Sequence, residues 1–143
     1  MQSETQGSMA DVRPPLGGVA VKLLHLDLPV SDVAATSTFF ATYLGFAIDS
    51  EHRSAERVFL TDSHGFCLVL QTTSAGPNAF PEGFHVGFVT DEATQVRDLH
   101  ARLGSAGFPV SDVATSRRGT VFYCKGPGDL LVEVSSPFRS NVG

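Results

Sequence analysis

The chain is poor in cysteine, in basic residues and in unbroken apolar runs, and each shortage removes a class of protein. Its two cysteines, Cys67 and Cys124, form no CxxC pair and fall in segments that read as strands. They could pair in principle, but buried free thiols of a cytoplasmic protein are the expectation. Lys and Arg number 10 against 15 Asp and Glu, which leaves a net charge of −5. The only adjacent basic pair is Arg117-Arg118, too little to track a phosphate backbone, so nucleic acid is not an expected partner. No apolar stretch approaches the length of a membrane span. The opening MQSETQGSMADVRPPLGG has neither an apolar h-region nor a cationic n-region, so it is not expected to be a signal peptide. A soluble, cytoplasmic protein is expected. With only 17% charged residues, much of its surface should be Ser, Thr and Gly.

What the chain does have is apolar bulk: 42% hydrophobic residues, eleven of them Phe, enough for a packed interior in 143 residues. That length suits one domain or two small modules fused around one core. Residues 1–19 are polar, rich in Gly and Pro and without periodicity, and read as a flexible tail. The remainder repeats itself. His25 and His85 sit in matching apolar strands sixty residues apart. Each strand is followed by a helix start signal, Ser31-Asp32 or Thr90-Asp91-Glu92, and then by a glycine stop, at Gly45 and at Gly104 or Gly107. Arg57-Val58-Phe59 echoes Thr120-Val121-Phe122, and a polar turn with a final apolar strand closes each unit. The expected organisation is α+β: two β-α-β-β-β modules at 20–71 and 83–137, a connection at 72–82 and a tail at 138–143. Val96, Leu99 and Leu103 form the apolar stripe of the second helix; Val33, Phe39, Phe40, Tyr43 and Leu44 serve the first.

Three strands carry one metal-capable residue each: His25 in VKLLHLDLPV, His85 in GFHVGFV and Glu133 in DLLVEVSS. Their neighbours Leu24 and Leu26, Phe84 and Val86, and Val132 and Val134 are apolar. Side chains alternate with period two, so each strand is expected to bury its flanking pair and turn the polar residue to the open face. Two imidazoles and a carboxylate form the ligand set of a divalent metal site with open positions. Gly83 and Gly87, on His85's own face, leave room there for a ligand. Asp27 shares a face with His25 and reads as a general base or an acceptor supporting the metal ligands, or else as an edge carboxylate hydrogen-bonded to a loop. Tyr123 reads as a donor to substrate oxygen or as a core tyrosine with a satisfied hydroxyl.

The pattern LLHLDLPVSD-x3-T-x2-FF-x3-LGF, together with FHVGFVTDE and VEVSS, resembles the vicinal oxygen chelate superfamily over residues 20–137. That superfamily includes glyoxalase I, fosfomycin resistance proteins, extradiol dioxygenases and bleomycin resistance proteins. The resemblance implies a curved mixed sheet around a cavity, a homodimer, and a divalent ion (Fe, Mn, Ni or Zn) on His25, His85 and Glu133. It also exposes departures. The fourth ligand of glyoxalase I-like members falls on Val69, or on Leu70 if no gap is allowed, and neither binds metal. Gln71 and Val69 are then expected to line the cavity, and Arg118 to meet a substrate anion. The turn before Glu133 is GPGD where the family commonly has DPDG. Asp27 stands where fosfomycin resistance proteins carry threonine, and their phosphonate-binding cations have no match. The expected function is metal-dependent lyase, dioxygenase or thiol-transferase chemistry on a small oxygenated substrate, with Asp27, Tyr123 and Glu133 at the reacting centre. The competing expectation is a metal-free, bleomycin-resistance-like binder that sequesters a small molecule in the same cavity.

Overall fold

The computed structural model describes residues 20–73 and 80–138. The tail expected at 1–19, most of the connection and most of the C-terminal end therefore lie outside the described residues. The order of elements is β1 (His25–Val30), α1 (Val33–Tyr43), β2 (Ala47–Ile48), β3 (Arg57–Thr61) and β4 (Cys67–Thr72), followed by β5 (His85–Val89), α2 (Ala93–Ser105), β6 (Ala114–Ser116), β7 (Gly119–Lys125) and β8 (Leu131–Pro137). Each half forms a four-stranded sheet, in the orders β1-β4-β3-β2 and β5-β8-β7-β6. The first strand of each module pairs parallel with its last, and the other pairings are antiparallel. This is the duplicated β-α-β-β-β plan expected of the sequence.

The helix boundaries follow local chemistry. Asp32 caps α1 by accepting from the Ala35 amide at 2.9 Å. The Glu92 amide donates to the Gln95 side chain at 2.9 Å in the corresponding place on α2. Both helices stop at a glycine with positive φ, Gly45 at 77° and Gly107 at 95°, while Gly104 lies within α2. The turn before β8 uses its glycines for close approach to α1. A β-carbon at Gly126 would stand 3.2 Å from the Phe39 ring, and one at Gly128, where φ is 67°, 2.8 Å from Ser31 Oγ.

Helix α1 is the wedge between the modules. Phe39 and Phe40 are fully buried, and their rings reach the second module: Phe39 meets Phe108 at 5.0 Å and Phe40 meets Phe88 at 6.0 Å between centroids. Arg102 of α2 donates to the Thr42 carbonyl at 3.2 Å and lies over the Tyr43 ring. The buried Thr36 and Ser37 hydroxyls return to carbonyls of their own helix, at Asp32 and Ala34. Buried residues of both halves consequently make one core cluster, in which Leu28, Leu60 and Leu70 join Val96, Phe122 and Val132.

Two sequence expectations need correcting. Leu24 and Phe84 are not buried but 48% and 37% exposed, because each histidine opens its strand and the residue before it lies outside that strand. Phe84 stacks on Phe80 instead. The echo on the penultimate strands is also out by one residue. Phe59 opposes Val69 as Tyr123 opposes Glu133, so Arg57-Val58-Phe59 corresponds to Val121-Phe122-Tyr123. Burial agrees, since Val58 and Phe122 face the core.

Because Phe40 ties both modules to α1, Phe40→Ala is expected to lower stability by about 3–5 kcal/mol. Phe138→Ala, at an exposed position, should stay within about 0.5 kcal/mol. Urea unfolding with unchanged denaturant dependence checks both.

Candidate functional site

The second module brings its polar residues together through register. Pairing sets Gly87 and Tyr123 on either side of Glu133, and His85 lies one pleat before Gly87 on the same face. The imidazole and carboxylate therefore meet diagonally across parallel strands, with His85 Nε2 3.3 Å from Glu133 Oε1. On its other side, His85 Nδ1 lies 2.9 Å from the Gly83 carbonyl oxygen. A carbonyl only accepts, so Nδ1 carries a proton, and in the neutral ring Nε2 would then face Glu133 with its lone pair. Two electron-rich atoms in this arrangement call for a proton or a cation between them.

Tyr123 completes this half. Its ring stands edge-on to His85 at 6.0 Å, and its hydroxyl donates to Glu133. That hydrogen bond first, then the carboxylate charge and slight desolvation, raise the phenol above its ordinary value of 10.0. Tyr123 is 38% exposed and is therefore not the core tyrosine of one of the two sequence readings. Beside it opens a cavity of about 460 Å³ lined by Glu133, Tyr123, Arg118, Ser116, Ser135 and Val89. Arg118 has no ion-pair partner among the described residues.

The first module repeats the geometry with different side chains. His25, Asp27, Val69 and Gln71 share the open face of the first sheet. Asp27 opposes Val69 as Gly87 opposes Glu133, so Val69 is the counterpart of Glu133. Leu70 is fully buried in the core, which decides between the two candidate positions. Val69 is itself 1% exposed, covered by its own chain. Gln71 Nε2 donates to Asp27 Oδ1 at 3.3 Å, and Asp27 Oδ2 lies 4.0 Å from His25 Nε2.

The donor chemistry suits a divalent ion. Neighbouring donors on a metal at about 2.1 Å stand about 3.0–3.4 Å apart, and the His85–Glu133 separation of 3.3 Å lies in that range. Among the described residues, however, no three His, Cys, Asp or Glu side chains gather closely enough to hold a metal. Within one chain His25 is not brought onto His85 and Glu133; the structure offers two half-sites. Sequence reasoning missed the Gly83 carbonyl and the hydroxyls of Ser116 and Ser135. Ser135 was within reach of it, since period two places it on the face of Glu133.

Glu133→Gln removes the charge that holds the Tyr123 proton, so the phenol should titrate at lower pH, back toward 10.0. A raised pKa favours folding below the ordinary tyrosine range and ceases to do so as pH climbs through the folded value. Phenolate absorbance of parent and variant in a Tyr43→Phe background isolates the group.

Comparison with known proteins agrees with this architecture. The family model for the Glyoxalase/Bleomycin resistance protein/Dioxygenase superfamily matches residues 22–134. A protein from Bacillus cereus, described as a possible glyoxalase, is similar at 31% identity over 81% of this chain and 99% of its own, with a TM-score of 0.72. Lactoylglutathione lyase from Agrobacterium tumefaciens shares the fold at 19% identity, covering 87% of this chain and 96% of that one, TM-score 0.64. The fosfomycin resistance protein FosX of Listeria monocytogenes shares it at 16% identity, 84% and 96% coverage and a TM-score of 0.68. No curated protein sequence matches. With most of its length under one family model and its two modules laid out as described, the chain belongs to the glyoxalase/bleomycin resistance protein/dioxygenase superfamily.

Proposed function

We propose that the chain is a cytoplasmic, divalent-metal-dependent enzyme acting on a small oxygenated substrate, its metal held by His25, His85 and Glu133 across a homodimer. The observation that carries this is His85 Nε2 lying 3.3 Å from a Glu133 carboxylate oxygen, with Nδ1 2.9 Å from the Gly83 carbonyl oxygen. Two facing acceptors are costly unless a proton or a cation joins them.

Assembly between two copies has its own support. Strands β1 and β5 each lie at the edge of a sheet and have a strand partner on one side only, among the described residues. Val21, Leu23 and Val89 are 92%, 79% and 72% exposed near those edges. Between them runs an apolar groove of about 410 Å³ lined by Leu23, Leu26, Phe66, Val86 and Val89. A second copy that covers this surface can bring its first-module half-site onto the second-module half-site of its partner.

A bound Fe, Mn, Ni or Zn ion supplies Lewis acidity toward neighbouring substrate oxygens, the chemistry common to lyases, dioxygenases and thiol transferases of this type. The chain's own residues do the rest. Gly87 leaves space over the half-site, and the Tyr123 hydroxyl donates its one proton to Glu133 and so orients that carboxylate. Arg118, across the cavity, is placed to receive an anionic end of the substrate. Gln71 lies off this cavity, on the His25 face, and approaches substrate only when the half-sites meet, while Val69 on the same face stays covered by its own chain.

One observation favours the alternative of metal-free sequestration: the lack of a three-donor cluster within the described residues of one chain. Metal content of protein purified without added metal separates the readings. Near-stoichiometric metal in a dimer, lost in His85→Ala, is the expected result. A protein that takes up none of the four metals, yet binds small ligands unaffected by chelator, sinks the enzyme reading.

A further inference from the structure

We propose that Asp27 is the second metal donor of the first module, standing in from β1 for the carboxylate that β4 lacks at position 69. The inference rests on the metal reading above. Its basis is the comparison of the two halves of this chain. In the second module the imidazole is on the first strand, the carboxylate on the last, and the position two residues after the histidine is Gly87. In the first module the last strand offers Val69, and the position two residues after the histidine carries Asp27. The carboxylate has exchanged places with the small or apolar residue across the same parallel pair.

The side chains support the exchange. His25 leans along its strand toward Asp27, Nε2 to Oδ2 4.0 Å, as His85 leans toward Glu133. That gap is wider than the span of neighbouring donors on one metal by roughly 0.6–1 Å, within reach of a small rotation of two exposed side chains. Each carboxylate is also held on its far side by a neutral donor from the adjoining strand. Gln71 Nε2 donates to Asp27 Oδ1 at 3.3 Å, and the Tyr123 hydroxyl donates to Glu133. Each half-site thus has the same three parts: imidazole, carboxylate and a donor that orients it. A general base needs a carboxylate free to meet substrate. Here one oxygen of Asp27 is engaged by Gln71 and the other is turned to His25. With Asp27 included the ligand set is two imidazoles and two carboxylates, which neutralises a divalent ion and leaves two positions of an octahedron for substrate oxygens.

Mn²⁺ affinity by titration calorimetry on the full-length protein tests this. The variants are Asp27→Asn, His85→Ala, and the transposed pair Asp27→Gly with Val69→Glu. We expect Asp27→Asn to lose more than about 100-fold in affinity, beyond the roughly 10–100-fold of an orienting contact, and the transposed pair to recover most of it. Circular dichroism of each variant verifies folding. Mn²⁺ binding that His85→Ala abolishes but Asp27→Asn leaves intact overturns the proposal and spares the metal reading. Loss in Asp27→Asn without recovery in a folded transposed pair overturns direct ligation in favour of a supporting contact. A parent protein that binds none of Mn²⁺, Fe²⁺, Ni²⁺ or Zn²⁺ overturns both.

Discussion

Parallel pairing of the first strand of each module with its last is the constraint from which the rest follows. An antiparallel partner can be reached by a tight turn, but a parallel one requires a crossover, and in each half α1 or α2 supplies it. The crossover covers one face of the sheet with a helix and leaves the other open. The same pairing sets Asp27 beside Val69 and Gly87 beside Glu133, so the register that builds the core also determines which polar groups meet on the open face. Moving β8 by one residue would bury Glu133 and expose Val132 and Val134.

The two modules are joined through aromatic rings more than through chain. Phe39, Phe40, Tyr43 and Phe46 of the first half interlock with Phe88 and Phe108 of the second. Helix α1 accordingly has apolar or buried residues on more than one side, Val33 and Thr36 as well as the phenylalanines, while α2 keeps one clean stripe through Val96 and Leu103. A helix that faces two neighbours cannot remain simply amphipathic. This union leaves His25 apart from His85 and Glu133 among the described residues of one chain.

Much of this was legible in the sequence, for reasons that can be named. Helix starts at Asp32 and Glu92 depend on local capping, and the open faces of His25, His85 and Glu133 depend on a two-residue period; both are short-range. The failures came where letters stood in for faces. Matching Val58 to Val121 aligned identical residues, yet Val58 is buried and Val121 lies on the Tyr123 face, so the match turned a strand over. The Gln71–Asp27 contact joins residues 44 apart, and strand neighbours cannot be ordered from periodicity. Nor does periodicity say whether two open faces of one chain oppose each other, and so the sequence brought His25 to His85 more readily than the fold does.

The burial of one thiol gives the chain a chemical asymmetry. Cys124 is sealed in the core, and desolvation pushes its pKa up to about 11, so it remains a protonated thiol with little nucleophilic character. Cys67 is only half-buried and stands directly opposite His25 on the open face. Of the two thiols, electrophiles and oxidants therefore reach Cys67 more readily, and it stands beside His25. A fluorophore or spin label placed there would report on the His25 face without disturbing the interior.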